Sequence, residues 1–250
     1  MGLIRTEAIV LRTVDFSEST QIAHFYSPTM GKFSAIARGV KRLKSRLGPR
    51  LEMGAQVEVS AYGREGAAML SLSAIELLRR WPIVQQDLSA YALAALLIEA
   101  IDQGTQEARP SAEIYHLGVN FLHGVSVGAA GEPLAAHSLF RLICLLGYAP
   151  DLREPSGTLT QAKEYLFLNM DEGRLAPHPS EDLRLPQMRL SPSMRHFLRQ
   201  SMWLRIDEFS SAQLPFDRPV LQFVIRLFEF HAEVQLKSVR FLQKMIWNKS

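Results

Sequence analysis

The sequence predicts an α+β fold: a small five-stranded β-barrel at the amino end, then a mainly α-helical domain with a small irregular or β-hairpin insert. Three observations carry this. Over the first 80 residues apolar side chains recur with a period of two, the mark of half-buried strands. From Asp87 onward the period becomes helical. The charge changes at the same place: residues 1–80 hold 12 Lys+Arg against 7 Asp+Glu, and residues 81–250 hold 16 against 18.

The strands follow in order. Ala8–Thr13 is a β-branched-rich run, and Gln21–Tyr26 follows a polar turn at Asp15–Ser19. Ser27–Gly31 is a turn signal between two apolar runs, which predicts a hairpin. Lys32–Arg38 places Phe33, Ala35 and Ala37 on one face. Val57, Val59 and Ala61 alternate with Glu58 and Ser60. Leu70, Leu72 and Ala74 alternate with Ser71 and Ser73, after a turn at Gly63–Gly66. Five strands in about 75 residues suit a closed or nearly closed barrel, and the OB fold is the commonest nucleic-acid-binding example. Residues 1–80 are therefore expected to form an OB-like nucleic-acid-binding domain.

Residues 81–250 read as a helical domain. Asp87 is a candidate N-cap, with Leu88, Tyr91, Ala95 and Ile98 on one face. Pro110-Ser111 opens a helix with Ile114, Leu117, Phe121 and Leu122 on one stripe. Glu132-Pro133 opens another that Gly147 ends in the left-handed region. Residues 150–190 are rich in proline and polar residues, with a hairpin expected around Asp171-Glu172-Gly173. Ser191 starts a short helix, Asp217 caps a long one through His231, and Phe241, Leu242, Met245 and Ile246 mark a last one.

Composition narrows the function. The chain has 250 residues, 47% hydrophobic and 21% charged, so a core can be buried without metals or disulfides. A single cysteine, Cys144, excludes an internal disulfide and suits a reducing cytoplasm. No run reaches the roughly 20 apolar residues of a spanning helix. There is no Walker loop, dinucleotide fingerprint, HExxH or nucleophile elbow. The seven histidines are scattered. Cys144 sits in an apolar helix, and the pairs Asp15 with Glu18 and Asp171 with Glu172 fall in turns. The reading is a non-enzyme with no cofactor and no metal.

The densest feature is residues 38–50, where Arg38, Lys41, Arg42, Lys44, Arg46 and Arg50 fall with no acid between them. Glycines and Pro49 make this a loop or short helix between strands. Phosphates are the matching counter-charge, and binding through them weakens as salt rises. A solvated loop that only aids solubility has the same composition. Phe16, Phe25, Tyr26, Phe33 and Tyr62 are candidate stacking rings. Core packing explains most of them, and Tyr62, at a strand end beside Gly63, is the exception.

Several segments together resemble the RecO family of DNA repair proteins. They are Ala8–Thr13 with Ser17-Glu18-Ser19, then Gly31-Lys32 with residues 37–47, then residues 145–152 around Gly147, Tyr148 and Pro150, then Leu236-Lys237-Ser238 with residues 240–242. They occur in the family's order and span nearly the whole chain. The resemblance implies an N-terminal OB domain, a helical domain with an irregular insert, and binding of single- and double-stranded DNA. It implies annealing of complementary strands and assistance to RecA loading on gaps coated by single-strand-binding protein. RecR, and in some lineages RecF, are the implied partners, in the bacterial cytoplasm at the nucleoid. DNA contact carries over to Arg38, Lys41, Arg42, Lys44 and Arg46; charge and position add Lys32 and Arg50. Many members carry a four-cysteine zinc motif just after the Gly-Tyr-x-Pro segment. Here residues 151–157 contain no cysteine, so no zinc is expected and the insert near 150–190 takes the motif's place. The tail of single-strand-binding protein is acidic and ends in an apolar residue; Arg141 is the candidate partner residue, against a reading as an ordinary helix arginine. A protein-interaction scaffold and an RNA-binding OB protein are the competing functions.

Overall fold

The computed structural model describes residues 2–41, 51–64, 69–128, 131–155, 165–182, 184–212 and 214–247. The chain divides into two compact units, Met1–Gly128 with Leu236–Ser250, and Ala129–Gln235.

The first unit opens with β1 (Gly2–Asp15), β2 (Gln21–Ser27), β3 (Gly31–Ala37), β4 (Gln56–Gly63) and β5 (Leu70–Arg79). Their order is cyclic, β1-β2-β3-β5-β4, and β4 pairs back onto β1. β1 pairs with β2 and β4, β2 with β3, and β4 with β5, all antiparallel. The seam between β3 and β5 is parallel and consists of Ala35↔Leu70 and Ile36↔Ser71. The five strands close into a barrel, held by four antiparallel ladders and closed at β3/β5 by this short parallel one.

The period-two pattern explains the core. Ala8, Val10, Ala23, Phe25, Phe33, Ala35, Val57, Val59, Leu70 and Ile75 point inward and are buried. Phe25 stacks on Phe33 with centroids 5.1 Å apart. β1 starts six residues earlier than its apolar run suggests. Its Thr6 is buried, and the Thr6 hydroxyl lies 2.6 Å from that of Ser27 and 2.9 Å from that of Thr29. Gly31 takes a φ of +68°, and a Cβ there would lie 2.4 Å from the Arg109 carbonyl oxygen, so only glycine fits the turn into β3.

Helices α1 (Pro82–Gln86), α2 (Leu88–Gly104), α3 (Ala112–Ser126) and α8 (Lys237–Met245) complete this unit. Asp87 caps α2 by accepting from the Ala90 N–H at 2.7 Å, and Ser111 caps α3 through the Ile114 N–H. α2 is buried on most sides, so its expected apolar stripe is corrected: Leu88 and Tyr91 lie exposed, whereas Leu93, Leu96, Leu97 and Ile101 are buried. Gly118 brings α3 close to the sheet, since a Cβ there would fall 2.8 Å from Ile9 Cδ1. The Glu99 carboxylate on α2 accepts the Lys237 and Ser238 N–H groups at 3.0 and 2.8 Å. That satisfies two of the open donors at the start of α8 and joins it to this unit.

The second unit holds α4 (Gly131–Leu145), β6 (Leu166–Asn169), β7 (Arg174–Ala176), β8 (Gln187–Leu190), α5 (Pro192–Ser201), α6 (Ile206–Ser211) and α7 (Arg218–Ala232). The expected hairpin is the antiparallel pair β6–β7, with Leu168 opposite Leu175, and β8 adds a third strand to give the order β7-β6-β8. β8 alternates Gln187 and Arg189 with Met188 and Leu190 but is only four residues long, too short for the pattern alone to specify a strand, and its pairing with β6 makes it one. Gly147 ends α4 at φ +92°, as its position predicts. No helix among the described residues is long and apolar enough to cross a membrane.

Candidate nucleic-acid interface

Arg42, Lys44, Arg46 and Arg50 lie outside the described residues. Lys32, Arg38 and Lys41 are within them, and the structure uses each differently. On β3 the inward set is Phe33, Ala35 and Ala37, so Lys32, Ser34 and Ile36 belong to the outer face, and Arg38 follows in the turn after the strand.

Lys32 is drawn inward at one end of that face. Its Nζ donates to the Asp102 carbonyl oxygen at 2.5 Å, in the last turn of α2, and lies 3.9 Å from the Asp102 carboxylate. A cation suits the carbonyl end of a helix, where backbone acceptors lack intrahelical donors. Asp102 is itself buried and accepts from Arg12 Nε at 2.6 Å. His24 stands beside them with its Nδ1 2.9 Å from the Ser34 hydroxyl. Burial, and then the charge of Arg12, hold the His24 pKa below the ordinary histidine value. The group ties the outer faces of β1, β2 and β3 to α2.

Arg38 stands at the other end. It is exposed, and its guanidinium reaches across the β3/β5 seam to the Ser71 hydroxyl at 3.5 Å. Lys41 is exposed too, but it is paired. Its Nζ lies 2.6 Å from the Asp15 carboxylate, and its backbone N–H donates to the Ser19 carbonyl. Hydrogen bonds from Lys41 and then Gln21 lower the Asp15 pKa. The β1–β2 turn is thereby held beside the end of β3, and Phe16 in that turn is 65% exposed. Phe25, Tyr26 and Phe33 are buried, while Tyr62 is 50% exposed. Phe16 breaks the expectation of core packing, because it sits past the last ladder pair, Asp15↔Gln21.

In the second unit Arg141 donates from Nη1 to the Met202 carbonyl, linking α4 to the end of α5. Beside Met202 a cleft of about 470 Å³ is lined by Pro150, Leu152, Met202 and Trp203 together with Arg153 and Arg199. Trp203 is 82% exposed. Trp203, Arg153 and Arg199 were not signalled by the sequence: they come from separate segments, and only folding groups them.

Two family descriptions match the chain. Recombination protein O N terminal covers residues 1–81, and Recombination protein O C terminal covers residues 85–240. The chain belongs to the RecO family. The DNA repair protein RecO of Syntrophobacter fumaroxidans is 28% identical over 252 aligned residues, 98% of each chain. That of Listeria monocytogenes is 24% identical over 96% of this chain and 94% of its own. That of Geobacter metallireducens is 33% identical over a shorter match, 59% of this chain and 60% of its own. Membership gives this chain a general role in DNA repair and recombination, that of a mediator and not of a catalyst.

The residues present do not fit the zinc site found in many RecO proteins. Asp151 is held by Arg153, whose guanidinium donates to it at 2.6 Å. Cys144 lies in α4, and burial pushes its thiol up to about 11, which opposes the thiolate that a metal needs. Among the described residues no group of three or more His, Cys, Asp or Glu is arranged to hold a metal ion.

Proposed function

We propose that this RecO-family chain binds single- and double-stranded DNA through cations at the Arg38 end of β3, anneals complementary strands, and assists RecA loading together with RecR. The observation that carries the reading is the exposed Arg38, at the open end of an outer strand face and at the start of the acid-free run of residues 38–50. Lys41 adds to it once Asp15 is displaced. Arg42, Lys44, Arg46 and Arg50 enter on charge alone. Lys32 has the weakest claim to a DNA contact, because its ammonium already serves Asp102.

Contacts of this kind go to phosphate, so affinity is largely independent of base sequence and falls linearly in log–log form with salt. The test is a fluorescence titration of labelled single-stranded DNA over a salt series. Wild type binds at low salt, and the triple substitution Lys41→Glu, Arg42→Glu and Lys44→Glu weakens binding to every sequence alike. Affinity that does not change removes the basic segment from the function. An annealing assay on DNA coated with single-strand-binding protein then tests the mediator step.

The cleft beside Met202 supports a second contact, with the acidic, apolar-ended tail of single-strand-binding protein. Arg153 and Arg199 supply positive charge, and Leu152, Met202 and Trp203 supply apolar surface. Arg141 takes part by holding the Met202 carbonyl, so it acts on the wall of the cleft. Arg199→Glu abolishes capture of a tail peptide without changing DNA affinity; undiminished capture removes the cleft from the scheme.

A further inference from the structure

One row of side chains circles the outside of the amino-terminal sheet. Leu3 on β1 is paired with Tyr62 on β4, Tyr62 with Ser71 on β5, and Ser71 with Ile36 on β3. Ile36 is paired with Ile22 on β2, which is paired with Val14 of β1. Directly paired residues share a face, so all six belong to the outer surface. Leu3 is 59% exposed, Tyr62 50% and Val14 44%, and the other three are partly exposed. Where α2 meets this face, Ser34 is 3% exposed. The row at Tyr62 has no such cover among the described residues.

A polar and charged element interrupts this apolar row at Ser71. Its hydroxyl faces the Arg38 guanidinium at 3.5 Å, and its strand neighbour on the other side is Tyr62. Paired strands lie about 4.8 Å apart, so an exposed ring and an exposed guanidinium flank one small side chain. A ring with an open face accepts a planar base, and a fixed cation beside it accepts the phosphate of the same strand. A duplex keeps its bases stacked on one another, so only an unpaired strand uses both.

We infer that Tyr62 is a base-stacking platform for single-stranded nucleic acid, with Arg38 as its phosphate contact across Ser71. This rests on the DNA-binding reading above and refines it: the cations hold either form of DNA, and the ring selects the unpaired one. Ile36 and Leu3, on the flanking strands, extend the apolar floor on which a base lies.

The experiment compares Tyr62→Phe, Tyr62→Leu and Arg38→Gln with wild type. The probes are a labelled oligothymidine strand and a duplex of equal length, titrated over a salt series. Thermal melting by circular dichroism checks that each variant is folded. Tyr62→Phe keeps the ring and binds within about twofold of wild type. Tyr62→Leu keeps apolar area but loses the π face, and weakens single-strand binding roughly five- to a hundredfold. Its duplex affinity and its salt slope do not change. Arg38→Gln lowers the single-strand salt slope by roughly 0.7. A folded Tyr62→Leu that binds the single strand as wild type does overturns the inference and leaves the DNA-binding reading standing. Equal losses on strand and duplex also overturn it. Wild type without single-strand affinity at low salt overturns both.

Discussion

Lys32 on β3 and Arg38, one residue past the end of that strand, stand six residues apart and meet opposite fates. Lys32 lies under the end of α2, where a buried carboxylate and a helix-terminal carbonyl receive it. Arg38 lies beyond the reach of α2 and keeps its charge toward solvent. A cation in the sequence is therefore not yet a site. Whether it binds an external anion depends on whether the fold has already supplied an internal one. Lys41 falls between them, held by a carboxylate that is itself exposed.

Four measurements break or sharpen this contrast, from the largest expected effect to the smallest. Asp102→Ala removes the anion between Arg12 and Lys32 and leaves the largely buried Lys32 ammonium without its carboxylate, beside a half-exposed Arg12. It lowers unfolding free energy by about 3–5 kcal/mol in urea titrations, because the partners of a buried charge lose their compensation. A change under about 1 kcal/mol would mean that Lys32 is held by other means. His137 provides the counter-case in the second unit, a buried base with no anion. Among the described residues neither of its ring nitrogens has a hydrogen-bond partner, its ring stacks on Phe209 at 4.3 Å, and burial pushes its pKa down to about 3. The unfolded value is about 6.5, so unfolding takes up a proton below that pH. The contribution of the neutral ring is whole above pH 6.5 and is lost as pH falls toward about 3. Wild type therefore loses on the order of 2–3 kcal/mol more than His137→Leu between pH 7 and pH 4, measured by denaturant midpoints.

The smaller effects concern the exposed end. Arg38→Gln leaves stability within about 0.5 kcal/mol, as surface substitutions do, while reducing the salt dependence of DNA binding. Loss of stability without change in salt slope would reverse the contrast with Lys32. Asp15→Asn releases Lys41 and raises DNA affinity at low salt by about twofold, since surface ion pairs are weak. In wild type the same release needs acid: the Asp15 pKa is held below its usual value, so the pair with Lys41 persists through the mildly acidic range.

The parts of this molecule that could be read in advance are those governed by neighbours in sequence. The alternation of Val57, Val59 and Ala61 with Glu58 and Ser60 reports β4 directly, and Asp87, Ser111 and Ser191 announce three helix starts by their side-chain oxygens. The parts that could not are governed by distant residues. The first residues of β1 bury Thr6 where the pattern asks for an apolar side chain, and the hydroxyls that make this possible come from Ser27 and Thr29. β8 exists because β6 pairs with it. At the site, period two placed Phe33, Ala35 and Ala37 on one face of β3, but nothing local says that α2 will receive Lys32 and spare Arg38. Tyr62 was legible as a strand-end ring beside Gly63. Its relation to Arg38 was not, because the β3/β5 seam that brings them together joins segments some 30 residues apart.

The Glu99 carboxylate that receives the start of α8 has a temporal consequence. The chain leaves its first unit at Gly128 and rejoins it at Leu236. On the ribosome, the sheet and its first three helices emerge long before the helix that Glu99 awaits, with all of the second unit made in between. Until α8 arrives, Tyr91 lacks the Phe241 ring that packs edge-on against it 5.8 Å away, and the α2 surface there stays bare. A nascent chain arrested before Leu236 would thus carry a protease-sensitive α2, and release of the finished chain would seal it.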